Sequence, residues 1–108
     1  MSKIVRYSGL IFLCGQTASG CSNENAGIKV QVQEVLSRVD ALLTDAGSDR
    51  ARILAATLYL RDINDFAAMN EVWESWIPLG AAPARTTVEA RLASENLLFE
   101  VTVTAALR

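Results

Sequence analysis

Pro83-Ala84-Arg85-Thr86-Thr87-Val88-Glu89, read together with Leu97-Leu98-Phe99-Glu100-Val101-Thr102-Val103, decides how this chain is built. Both pieces read as strands. The second alternates cleanly with period two and puts Glu100 on the face opposite Leu97, Phe99 and Val101. The first opens with a proline and a lone arginine. An arginine at the start of one strand and a carboxylate inside another are poorly explained by packing. A guanidinium fork is the side chain best matched to a carboxylate or phosphate. The remainder of the chain reads as the scaffold that presents these two groups.

Upstream, Lys3 to Tyr7 and Leu10 to Cys14 read as two short strands joined at Ser8-Gly9, a turn signal that predicts a hairpin. Gly15-Gln16-Thr17-Ala18-Ser19-Gly20 is loop chemistry. Gly15 serves either the turn itself or a ligand that approaches its backbone N–H. A helix is expected from Asn23 or Asn25, either of which can cap it. Ile28, Val32, Val35, Leu36, Val39, Leu42, Leu43 and Ala46 follow at helical spacing, and Gly47 stops them. Arg52 to Leu60 is a strand apolar on both faces, which places it inside a sheet. Asn64 or Asp65 is expected to cap a second helix with a buried stripe of Phe66, Met69, Trp73 and Trp76, ended by Pro78 and Gly80. Ser94-Glu95-Asn96 turns into the last strand.

The order is ββαβαββ, an α+β two-layer sandwich of two helices on one sheet, in a single domain spanning residues 1–108. Two helices cover one face only. The uncovered face is expected to carry Arg85, Thr87 and Glu89 from one strand and Glu100, Thr102 and Thr104 from another, which suits a wet cleft or a partner subunit.

Composition narrows the function. A formal charge of -2 with no basic block argues against nucleic-acid binding. With no histidine, the commonest general base and transition-metal ligand are both missing. Cys14 and Cys21 are too few for a zinc site or a disulfide framework, so no metal and no cofactor is expected, and a reduced, cytoplasmic setting fits best. The apolar run Leu10 to Gly15 is too short for a signal segment and reads as a buried strand. No run approaches the ~20 apolar residues of a membrane span.

Cys14-Gly15-Gln16, Asp45-Ala46-Gly47-Ser48, Arg61-Asp62-Ile63-Asn64-Asp65-Phe66-Ala67-Ala68-Met69-Asn70, Pro83-Ala84-Arg85 and Phe99-Glu100-Val101 stand in the order and spacing of one family. On these residues the chain resembles the reactive intermediate deaminase (RidA/YjgF) family over nearly its whole length. The resemblance implies a chorismate-mutase-like fold and a homotrimer with three clefts between neighbouring subunits. It implies metal-independent hydrolysis of reactive enamines or imines of amino acids to a 2-keto acid and ammonia. Carried over by position, Arg85 anchors the substrate carboxylate, Gly15 offers a backbone N–H near it, and Glu100 orients or activates water. Cys14, Thr87 and Asn70 line the cleft. The chain departs from the pattern in three places. Cys14 stands where a small hydroxyl residue is common, and Thr87 where many members have a cysteine. Met1 and Ser2 stand near the position of an upstream tyrosine that faces the cleft in many members.

The chemistry stands without the family. An imine carbon is already electrophilic, so its hydrolysis needs positioning and a directed water rather than a metal or covalent nucleophile. General acid–base help from a carboxylate is typically worth ~10²–10⁴-fold. Plainer readings exist beside this one. Arg85 and Glu100 as a structural ion pair need not stabilise the fold if buried. Asn70 as a loop hydrogen-bonder, Cys14 as a small buried hydrophobe, and Trp73 and Trp76 as packing complete the plainer account. The enzymatic reading has a rival of the same fold: a non-catalytic module that holds a carboxylate metabolite through Arg85.

Overall fold

In the computed structural model, residues 1–21 and 25–108 are described. The elements follow the expected order: β1 (Ile4–Tyr7), β2 (Leu10–Leu13), α1 (Ile28–Ala46), β3 (Ile53–Leu60), α2 (Phe66–Trp76), β4 (Ala84–Glu89) and β5 (Phe99–Ala106). Short 3-10 turns, Arg50–Arg52 and Ile63–Asp65, lead into β3 and α2. β1 and β2 form a hairpin in which Tyr7 faces Leu10 across Ser8 (φ 49°) and Gly9 (φ 80°). Two positive φ angles in a two-residue loop match the right-handed twist of the strands.

α1 forms because its apolar residues recur every three or four positions. Val32, Val35, Leu36, Val39, Leu43 and Ala46 are all buried. It closes with two backbone bonds, Ser48 N–H to the Leu43 carbonyl (2.9 Å) and Gly47 N–H to Thr44 (3.1 Å). Its start differs from expectation. The N-cap is Gly27, with no side-chain cap, while Asn25 accepts a bond from Asn96 Nδ2 at 3.0 Å and so is committed elsewhere. Asn23 lies outside the described residues. Before α2, the capping carboxylate is Asp62, which accepts from Asn64 N–H at 2.9 Å and starts the 3-10 turn; Asp65 holds the N-cap position without a side-chain bond. Met69 and Trp73 are buried as expected, Trp76 is half-buried, and Phe66 is 38% exposed. Phe66 lies in the first turn of α2, near the edge of the sheet.

The five strands run β1-β2-β5-β3-β4. β3 and β4 are parallel and joined through α2; the other pairs are antiparallel. β3 is interior, as its apolar run implies. β5 begins at Phe99 rather than Leu97, because the Leu98 N–H is given to Gln31 Oε1 (2.9 Å) instead of to a ladder. The core lies between one sheet face and the two helices, with Ile11, Leu58, Leu60, Phe99 and Val101 fully buried there. Among the described residues no helix is long and apolar enough to cross a membrane.

Register corrects the expected distribution of faces. Arg85, Thr87 and Glu89 pair with Ala56, Leu58 and Leu60, and the last two pair in turn with Val101 and Phe99. Residues directly opposite in a sheet point the same way, so this set lies on the helix side. Glu100 and Thr102 pair with Tyr59 and Thr57 on the open side. Arg85 and Glu100 therefore project from opposite faces of one sheet. The sequence could not show this, because edge strand β4 has no apolar face to mark which side meets the core.

Candidate functional site

The predicted site residues gather into two groups, one on each face. The first surrounds Arg85. Its Nη1 donates to Asn70 Oδ1 at 2.6 Å, from the middle of α2. Its Cζ lies over the Phe66 ring, 5.6 Å from the centroid, and over the Trp73 ring at 5.8 Å. Phe66, Asn70 and Trp73 are spaced i, i+4, i+7, which sets them on one stripe of α2. Asn70 thus bonds the arginine rather than a loop. Thr87, two residues along β4 on the same face, has a buried Oγ1 with no hydrogen-bond partner. Leaving a buried hydroxyl unpaired costs ~1–3 kcal/mol. The Nε and Nη2 donors of Arg85 have no protein partner among the described residues.

The second group surrounds Glu100. Gln16 pairs with Val101 through two backbone bonds, Gln16 N–H to Val101 O (2.9 Å) and Val101 N–H to Gln16 O (3.1 Å). That bridge lays Gly15 against Glu100. A Cβ on Gly15 would fall on Glu100 Oε2 and stand 3.1 Å from Cδ. Gly15 does not have positive φ, so the close approach, and not the turn, is what demands glycine here. Cys14 is half-buried, and Gln16 Nε2 donates to its carbonyl and to its Sγ, both at 3.2 Å.

Neither Arg85 nor Glu100 makes an ion pair among the described residues. The structural-pair reading therefore fails within one chain. Each group instead keeps unused capacity, two N–H donors on one face and a carboxylate on the other. Among the described residues, cavities also lie away from both groups. One of about 610 Å³ is lined by Arg61, Leu92 and Ser94 at the loop before β5. One of about 370 Å³ is lined by Lys3, Gln16 and Arg38. Neither touches Arg85 or Glu100. Among the described residues no three His, Cys, Asp or Glu side chains are grouped to hold a metal ion.

Sequence reasoning assigned Trp73 to packing and Phe66 to a buried stripe, and so missed their contact with Arg85. The signal was available only in part: the stripe was visible, but not that β4 would turn Arg85 towards it.

A sequence model of the family described as Endoribonuclease L-PSP matches residues 1–107. The chain is 41% identical over 106 residues to the RutC family protein YoaB of Escherichia coli K12, covering 98% of this chain and 90% of that one. It is 37% identical over 106 residues to a RutC family protein of Haemophilus ducreyi, covering 98% and 88%. The crystal structure of a YjgF family member from Neisseria meningitidis superposes with a TM-score of 0.90 at 41% identity, covering 100% of this chain and 87% of that one. A YjgF/YER057c/UK114 family member from Mycobacterium tuberculosis gives 0.88 at 27% identity, covering 99% and 86%. The sheet with two helices on one face is the fold of these structures, and with the profile matched from end to end the chain belongs to the RutC/YjgF/L-PSP family, the RidA family of the sequence reading.

Proposed function

We propose that this protein is a cytoplasmic, homotrimeric hydrolase that converts imines or enamines of amino acids to 2-keto acids and ammonia. Its site lies between subunits: Arg85, Asn70 and Thr87 come from one chain, and Cys14, Gly15 and Glu100 from its neighbour. One observation carries the reading. Arg85 has a free pair of donors, Glu100 has a free carboxylate, and the sheet holds them on opposite faces. Only a second chain can bring two such half-sites together. In that cleft Arg85 grips the substrate carboxylate side-on. The Gly15 N–H lies near it. Glu100 takes a proton from the attacking water and passes it to the departing nitrogen.

A ribonuclease reading, which the description of the family model would suggest, has less support in this chain. There is no histidine, and the formal charge is -2.

The test is complementation between two inactive variants. Arg85→Ala should lose both keto-acid binding and turnover. Arg85→Lys should recover part of each, because an ammonium keeps the charge and loses the fork. Glu100→Gln should keep binding while turnover falls at least ~10²-fold. Unfolding Arg85→Ala and Glu100→Gln together and refolding the mixture should restore activity to about a quarter of the parent, since a quarter of the interfaces in a randomly mixed ring pair an intact Arg85 with an intact Glu100. No recovery means that the site does not span the interface. Full turnover by Glu100→Gln would favour the non-catalytic carboxylate-binding module instead.

A further inference from the structure

We propose that one face of α2 is a positioning device for Arg85, in which the rings of Phe66 and Trp73 and the amide of Asn70 hold the guanidinium as a rigid fork before any ligand arrives. The inference rests on the reading of Arg85 as a carboxylate anchor. An arginine side chain has four rotatable bonds, and ordering it on binding consumes affinity. Here three contacts restrain it in the free protein. Asn70 Oδ1 accepts a hydrogen bond from Nη1 at 2.6 Å, and the two rings approach Cζ at 5.6 and 5.8 Å.

The division of donors follows. With Nη1 engaged by Asn70, the side-on edge formed by Nε and Nη2 is the pair left for a ligand. Two parallel N–H groups in a fixed plane match a carboxylate bidentately. Phe66 separates the device from the core. Trp73 is buried and packs the fold as well, whereas Phe66 is 38% exposed and lies outside the buried core. Its ring stands at the surface of α2 because it works on Arg85 and not on the core.

The experiment compares the parent with Phe66→Leu and Phe66→Tyr. Leu keeps apolar bulk and removes the aromatic face; Tyr keeps the face. Nitrogen-15 relaxation at Arg85 Nε reads rigidity without ligand, calorimetry reads pyruvate binding, and steady-state kinetics reads imine turnover. In the parent, Arg85 Nε should relax like rigid backbone, and pyruvate should bind. Phe66→Leu should make Nε mobile and weaken pyruvate roughly two- to fivefold, the range of an exposed cation–π contact. KM should rise by the same factor with kcat unchanged, because the grip is the same in ground and transition states. Phe66→Tyr should restore all three. An Nε in Phe66→Leu as rigid as in the parent overturns the proposal, and so does a Tyr variant as weak as the Leu variant. If the parent binds no pyruvate while Nε loosens as expected, the anchor reading falls and the positioning of Arg85 by α2 stands.

Discussion

At Gly15 the backbone runs so close to Glu100 that any side chain must displace the carboxylate. The obstructing atom is the far end of a flexible side chain, so Gly15→Ala should leave the melting temperature close to that of the parent. In the proposed mechanism turnover should nevertheless fall by ~10²-fold or more, because Glu100 would be displaced from the water it activates. Thermal unfolding and imine turnover on the one variant check this; equal losses in both would make Gly15 a folding residue only. Gly15, Arg85 and Glu100 could each be picked out from the sequence by residue type. Their mutual placement could not. Period two fixes which residues of a strand share a face, but only an apolar face says which side is inward. β5 has one in Phe99, Val101 and Val103, so its sequence alone sets Glu100 on the open side. β4 alternates Arg85, Thr87, Glu89 with Thr86 and Val88, and neither set is a core face.

The helices were legible as elements because each carries an apolar stripe at a spacing of three to four. What they hid was a polar residue inside such a stripe. Gln31 is fully buried in α1; its Nε2 donates to the carbonyls of Ala26 (2.9 Å) and Asn96 (2.8 Å), and its Oε1 accepts from Leu98 N–H. One side chain thus joins the approach to α1 with the loop before β5. Gln33, two residues on, is exposed. Sequence treats the two glutamines alike, since buried and solvated amides differ only in what surrounds them. Gln31→Leu removes these three hydrogen bonds at once and should cost at least about 2 kcal/mol, or roughly 10 °C in Tm. Gln33→Leu should change stability by less than about 0.5 kcal/mol. Differential scanning calorimetry on both variants measures the contrast, and similar values for the two would remove Gln31 from its structural role.

Across the whole molecule the helices cover one side of the sheet and leave the other uncovered. On the open side Val5 faces Phe12 across the hairpin, and they are 48% and 41% exposed; Tyr7 is 73% exposed. Exposed apolar groups clustered on a sheet face mark a surface that associates. Sedimentation equilibrium should give three times the 11.7 kDa chain mass, and Val5→Lys with Phe12→Lys should give monomers without turnover. A parent that stays monomeric at micromolar concentration would sink the trimer and every site shared between chains. The two faces on which Arg85 and Glu100 lie have a consequence for heredity. Where a reacting centre is made of halves from adjacent chains, a chain altered in one half spoils one centre and still completes another with its intact half. Two alleles damaged in different halves then do together what neither does alone, and selection on a single chain becomes selection on its neighbours.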